Sequence, residues 1–436
     1  MPLGTYTNLP TTMPIVTVNQ STENKAKRYE LLKIAAKLLP SERVADCSRY
    51  SIGGGDVDLV HDPNTQTGHF ENVAVCGSTW TCPVCASRLS YEKQLELEVF
   101  FDVVEDRHGT VITVAFTMQH EHGELLTNVK GDFNAALCAF KSGRSWSLFK
   151  QRYGIVGDVT AKEPKHGVNG WHYHAHVAFV SEMALNGAEI DEMRAWIKDR
   201  WSKQLGKRGR YASYEHGAVL TVQTAHDTAN YISKWGTASE LTLSEHKDGE
   251  GFTPFQLLDQ VQQGGDGADR AAALFREYAE ATKGDARIRF SRGLLGHFGL
   301  DKDMLADLVA ERIEQAEHEA VDDGALLPKV VVASLKYWEW AHVVKKGARG
   351  QLLRYVARGK ASLVWDFLES IGLPRPGSRA WVKRWLEIFI TSLWSSGSRQ
   401  IELIAEFERL KPLAIEHGLD DLYEKARQEA MGWKAA

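Results

Sequence analysis

The chain has 436 residues, 43% of them hydrophobic and 25% charged, enough apolar material for two or three cores. Its net charge of −5, from 52 Lys and Arg against 57 Asp and Glu, excludes a uniformly basic coat for nucleic acid. No window approaches eighteen uninterrupted apolar residues, and the opening residues lack the pattern of a secretion signal, so a cytoplasmic protein is expected.

Residues 1–45 read as a polar leader and one helix, KRYELLKIAAKLL, ended by Pro40. The Gly- and Asp-rich stretch SIGGGDVDLVHDPNTQTGH follows and reads as turns and short strands. Next, Cys76, Cys82 and Cys85 form C-x5-C-x2-C in VCGSTWTCPVCAS, where C-P-V-C is a tight knuckle that points two thiolates at one ion. Tetrahedral zinc takes four such ligands, and Cys47 is the expected fourth, with His69 as its substitute. A closed four-thiolate site has no open position, so residues 46–100 are expected to form a structural zinc-binding module. Cys138 stands apart and is expected as a small core residue.

From residue 110 strands alternate with helices. TVITVAFTM, GIVGDVTAKEP, WHYHAHVAFV and HGAVLTVQTA read as strands. The segments 128–154 and 186–206, together with HDTANYISKWG, read as helices. This order predicts an α+β domain over 101–245, an antiparallel sheet with helices on one face. Residues 246–300 read as a linker and extension, and 301–436 as a mostly helical C-terminal domain.

Along a strand side chains alternate faces, so His172, His174 and His176 share one side and can converge on a divalent ion or a phosphate. A carboxylate would suit such a site to magnesium or manganese, and Glu163 is the nearest candidate, with Asp158 as the fallback. On a helix Asp227, Tyr231 and Lys234 fall at i, i+4 and i+7, one face. A phenol with an ordinary pKa near 10 is a poor nucleophile, and a neighbouring ammonium and a metal-bound phosphate would favour its phenolate. A surface aromatic beside a salt-bridged lysine fits the same spacing.

Residues 141–235 hold fourteen Lys and Arg against nine Asp and Glu, a local basic excess. Within it KQLGKRGRY, with Lys203, Lys207, Arg208 and Arg210, is a candidate loop for the DNA backbone or a solvated loop. Trp171 and Trp235 flank the histidine and tyrosine motifs, where core packing is expected of both.

Four stretches in order, CGSTWTCPVCAS, FTMQHEHGELL, EPKHGVNGWHYHAHVAF and ANYISKWG, resemble the replication initiator (Rep) proteins of rolling-circle plasmids, the single-tyrosine branch of the HUH endonucleases. The resemblance runs on through ASELTLSEHKDGEGFTPFQLL, FREYAEATKG and RFSRGLLGHFGL and covers about residues 45–300. It implies metal ligation by His174 and His176, with His172 preceding them, and a catalytic Tyr231 followed by Lys234. It further implies a nick at a plasmid origin, a 5′-phosphotyrosine intermediate and a free 3′ hydroxyl that primes synthesis.

Relatives often carry Pro where Tyr173 stands, and a glutamate where Asp227 stands. The shorter side chain of Asp227 shortens its reach as the base for the terminating cleavage. The expected partners are single-stranded or extruded origin DNA and, for the tail, a host helicase. Relaxases and transposases share this chemistry. The H-Y-H-A-H-V-A pattern also matches histidine-triad nucleotide hydrolases, and a non-catalytic zinc DNA-binding protein is the remaining alternative.

Overall fold

A computed structural model describes residues 18–222, 228–229, 251–322, 327–392 and 400–432. Asp227, Tyr231, Lys234 and Trp235 lie outside the described residues. One compact unit falls within Met1–Gly55 and Glu71–Pro328, and a second within Asp56–Phe70 and Lys329–Ala436.

The chain opens with α1 (Val18–Leu38), which stops two residues short of Pro40. The hairpin β1 (Val57–Asp62) and β2 (Thr67–Glu71) follows, then α2 (Pro83–Asp106) and β3 (Thr110–Phe116). The helix expected over 128–154 is two helices, α3 (Leu126–Phe140) and α4 (Gly143–Arg152), because the chain turns at Gly143 with φ of 79°. Then come β4 (Ile155–Gly167), β5 (Gly170–Ser181), α5 (Gly187–Gly206) and β6 (Ala218–Val222). A reciprocal capping box of Asn186 and Glu189 starts α5.

Residues 246–300, expected as a linker and extension, contribute α6 (Pro254–Gln263), α7 (Ala268–Thr282) and β7 (Ile288–Phe290) to the first unit. After α8 (Leu294–His297) and α9 (Lys302–Asp322) the second unit resumes with β8 (Val330–Leu335), α10 (Tyr337–Lys346), α11 (Arg349–Val356), α12 (Ala361–Ser370) and α13 (Arg379–Ser392). Further helices run to Gly432.

In the first unit five strands form an antiparallel sheet in the order β6-β3-β5-β4-β7. One face buries Tyr173, Ala175, Val177 and Phe179 against α3, α4 and α5. There Phe116 meets Phe140 and Trp201 edge-on at 5.0 and 4.9 Å, contacts worth about 0.5–1.5 kcal/mol each beyond burial. Helices were expected on one face only, yet the other face is covered too. Ala178, Val180, Val159 and Ala161 pack against Phe100, Phe101 and Val104 of α2 and Leu305 and Val309 of α9. Both faces of β5 below the histidines are apolar, so both need a cover.

The second unit is not wholly helical. β8 pairs with β1 (Val57↔Leu335), making a three-stranded sheet β2-β1-β8. The Gly- and Asp-rich stretch expected inside the zinc module thus gives its hairpin to this unit. Cys138, expected in the core, is exposed, because α3 turns Leu126, Val129, Phe133, Leu137 and Phe140 inward and leaves 138 on the outer face.

Candidate metal centres

The knuckle of the cysteine cluster is the start of a helix. Cys82 is the N-cap of α2, Pro83 occupies the first turn, and the Cys82 sulfur accepts the Cys85 N–H at 3.4 Å. Cys47 follows a short 3₁₀ turn, Arg43–Asp46, and the backbone bonds Ser48 N–H to Ala74 O and Ala74 N–H to Tyr50 O fasten its strand of chain to the one bearing Cys76. The Ser78 N–H points at the Cys76 sulfur at 3.4 Å.

The four sulfurs are buried, unbridged and close together, with Cys47 to Cys85 and Cys47 to Cys82 at 3.5 Å and Cys76 to Cys85 at 3.7 Å. Metal–sulfur bonds of about 2.3 Å place tetrahedral sulfurs about 3.8 Å apart, so the quartet fits one ion. Cys47 is thereby the fourth member, and His69 lies on β2, outside the group. Sharing hydrogen bonds with Cys76 first, and with Cys82 and Cys85, holds the Cys47 thiol well below its ordinary range against the effect of burial. Burial pushes Cys82 up, and the bond shared with Cys47 pushes Cys85 up. Crowded thiols ionise together only when a cation joins them. Trp80 anchors the module by donating from Nε1 to Asp285 O at 2.8 Å, and its own carbonyl accepts the Tyr278 hydroxyl at 2.9 Å.

The histidine site is set by strand register. β4 and β5 pair Glu163 with His174, Lys165 with His172 and Ala161 with His176, and residues paired across a ladder share a face. Glu163 Oε2 lies 2.7 Å from His174 Nε2 and 3.3 Å from His176 Nε2, and these three side chains form a group able to hold a metal ion. Asp158, the fallback, pairs with Phe179 and points to the opposite face, where it binds Lys141 Nζ and Thr160 Oγ1, each at 2.7 Å.

His172 stands beside the group with its ring 5.0 Å from that of His174, and on its other side it meets His120 at 5.4 Å. Burial, reinforced by His174 and His120, pushes the His172 imidazole down to about 3. Burial also lowers His176, partly offset by Glu163. Burial acts to raise Glu163, but His174, His176 and Lys165 outweigh it and hold the carboxyl well below its usual range.

Two neighbours escaped the sequence reading. Lys165 Nζ holds Glu163 Oε1 at 2.8 Å, and His120 Nδ1 lies 3.0 Å from Asn169 O at the tip of the β4–β5 hairpin. The alternation of 163 and 165 along β4 was the available signal for Lys165. Nothing in the spacing of FTMQHEHGELL pointed to His120.

Of the basic loop, Lys203 and Lys207 are exposed, and Arg208 donates to Gln204 O at 3.1 Å. Arg210 is committed elsewhere. Its guanidinium donates to both oxygens of Glu124, at 3.0 and 2.5 Å, and to Asp132 Oδ2 at 2.9 Å. Trp171 is fully buried, as expected.

An antiparallel sheet carrying a Glu-His-His group, with a four-cysteine cluster in the same unit, defines a mixed α+β protein with two candidate metal centres. Over 322 residues the chain is 26% identical to Protein rep of Streptomyces lividans, an alignment covering 59% of this chain and 70% of that protein. The similarity bears out the resemblance to Rep proteins that the four motifs carry. No protein-family model and no solved structure matches the chain. Among the described residues no helix is long and apolar enough to cross a membrane.

Proposed function

We propose that this chain initiates rolling-circle replication of a plasmid by nicking its origin and transferring the strand. The observation that carries the reading is the convergence of Glu163, His174 and His176 on one face of the sheet, in a chain similar to a Rep protein. A divalent ion bound there would act as a Lewis acid on a phosphate oxygen, and two imidazoles in the donor set favour manganese over magnesium. Zinc suits the four thiolates, with a structural role.

In this reading the Tyr231 oxygen bonds to phosphorus as the bond to the 3′ oxygen breaks. The 5′ end stays on the protein as a phosphotyrosine, and the departing 3′ oxygen takes up a proton to become the primer hydroxyl. Lys234 favours the phenolate, and Asp227 serves as base for the water or strand of the terminating step. Ala229, two residues ahead of Tyr231, is buried with Ala161, Ala178 and Val180, which puts that residue of the segment on the same side of the sheet as the Glu-His-His group. Lys203, Lys207 and Arg208 offer backbone contacts for single-stranded or extruded DNA. The protein would act in the cytoplasm, with a host helicase opening the duplex behind the nick.

The test is incubation with labelled single-stranded oligonucleotides spanning the plasmid's origin, with and without manganese, followed by denaturing electrophoresis. A metal-dependent covalent adduct that vanishes on Tyr231→Phe supports the proposal. An adduct that persists moves the nucleophile to another tyrosine, Tyr211 or Tyr214, both exposed.

A further inference from the structure

Lys162 stands next to Glu163 in sequence but on the opposite face of the sheet. It pairs with Ala175 across the β4–β5 ladder, so its side chain lies on the face that α3, α4 and α5 cover, away from the Glu-His-His group. Lys162 is half-buried, and its ammonium has no hydrogen bond or ion pair among the described residues.

Three further cations stand around it. Arg289 on β7 pairs with Thr160, two residues back along β4 and on the same face, and its exposed guanidinium is likewise without a partner among the described residues. Lys141, just past the end of α3, donates to Thr160 Oγ1 at 3.2 Å and to Asp158 Oδ1 at 2.7 Å. Lys130 on α3 donates to the Ala281 carbonyl and to Asp285 Oδ2 at 2.9 Å. Of these charges Asp285 attracts Lys162, while Lys130, Arg289 and Lys141 repel it. An ammonium has three N–H donors, and Lys130 and Lys141 each use two, so each has one to spare. The two carboxylates, Asp158 and Asp285, are each matched by a lysine, which leaves Lys162 and Arg289 uncompensated. Holding an ammonium partly out of water without a partner is unfavourable, and an arriving anion relieves it.

We infer that this margin of the sheet is a binding site for a phosphate monoester, with Lys162 and Arg289 holding the dianion and Lys130 and Lys141 flanking it. A monoester carries a charge of about −1.5 to −2 near pH 7, which matches the two uncompensated cations, whereas a backbone diester carries a single charge. Its three terminal oxygens suit a guanidinium that bonds two of them in a fork and an ammonium that takes the third. The monoester can come from a free nucleotide or from the phosphorylated 5′ end of a DNA strand. The site lies across the sheet from the Glu-His-His group and stands without the nicking reading.

The test is equilibrium dialysis of the full-length protein against radiolabelled deoxyadenosine 5′-monophosphate in low-salt buffer. Lys162→Met and Arg289→Gln should each weaken binding at least about tenfold, and inorganic phosphate should displace the label. Lys302→Gln removes an exposed lysine from α9, which packs on the opposite face, and should leave binding unchanged. Manganese binding by the same three variants should match the wild type and reports on folding. Should Lys162→Met lose manganese as well, Arg289→Gln, an exposed position, decides. An oligonucleotide with a 5′ phosphate that displaces the label at least about tenfold better than the free nucleotide names a strand end as the source, and equal displacement names the nucleotide. No binding of the nucleotide at millimolar concentration, or unchanged binding in both groove variants, would overturn the inference. Equal displacement by the same oligonucleotide with hydroxyl ends would overturn it too, because the site would then read backbone diesters.

Discussion

Glu163 stands directly opposite His174 in the β4–β5 ladder, with its Oε2 2.7 Å from the ring Nε2. Its other oxygen is held by Lys165 at 2.8 Å, which restrains the carboxylate's rotation. A restrained acceptor between two imidazoles would serve as a preorganised ligand set, costing little rearrangement on binding.

Removing that carboxylate should therefore disable metal binding before anything else. Glu163→Ala and His174→Ala are each expected to weaken manganese binding at least about 100-fold, more than the usual effect of losing an outer-shell partner. Isothermal titration of the purified variants with manganese measures this directly. Lys165→Met should cost about tenfold, because the ligand survives but loses its brace. Manganese affinity unaltered in Glu163→Ala would remove the group from consideration as a metal centre.

The cysteine quartet makes a prediction about reactivity. Of the five cysteines, only Cys138 is exposed. The native protein should therefore present one thiol to a colorimetric thiol reagent and all five after zinc is chelated, with one zinc per chain by elemental analysis. Cys85→Ser should lose the zinc and unfold the start of α2, since metal affinity in such sites is folding free energy. Cys138→Ser should change neither. Rapid labelling of all five in the metal-loaded protein would contradict a closed site.

Arg210 should behave differently from its neighbours in KQLGKRGRY. Its guanidinium joins the chain after α5 to Glu124 and to Asp132 on α3, so Arg210→Ala should destabilise the first unit by about 1 kcal/mol, a figure kept low because the network is partly solvated. It should leave the salt dependence of DNA binding unaltered. Lys203→Ala and Lys207→Ala should leave stability alone and lower the salt slope by about 1 each. Thermal melts and binding titrations on the same three proteins separate the two roles.

The histidine site was largely legible because its determinants are local. Gly167 and Gly170 flank a two-residue turn, which fixes their pairing, and counting back along β4 from there sets Glu163 opposite His174. The same count excludes Asp158, whose odd offset turns it to the far face. Cys47 was legible because the quartet needed one more thiol and only one stood nearby. The pairing of Val57 with Leu335 was not legible, since nothing in a short hairpin names a partner strand so distant in sequence. Ala178 and Val180, in phase with the histidines, show that the second face also needs a cover, but nothing in one strand's alternation names α2 and α9 as the elements that supply it.

Glu339 provides a pH test of the second unit. It is almost fully buried at the start of α10, where its carboxylate accepts the Trp381 Nε1–H and the Lys336 backbone N–H, both at 2.7 Å. Burial outweighs these bonds and pushes the carboxyl up to about 7, above the 4.3 or so of an unfolded glutamate. A group raised on folding stabilises the native state fully below its unfolded value and progressively less as pH rises through its folded value. The second unit should therefore lose stability between about pH 4.3 and pH 7, by at most about 4 kcal/mol. In Glu339→Gln that slope should vanish, although the variant is less stable throughout because an amide nitrogen must face one of the two donors. Urea unfolding across this range, wild type against Glu339→Gln, reads the difference in slope. Parallel pH profiles would mean that Glu339 stays ionised in the fold, its two donors more than balancing its burial.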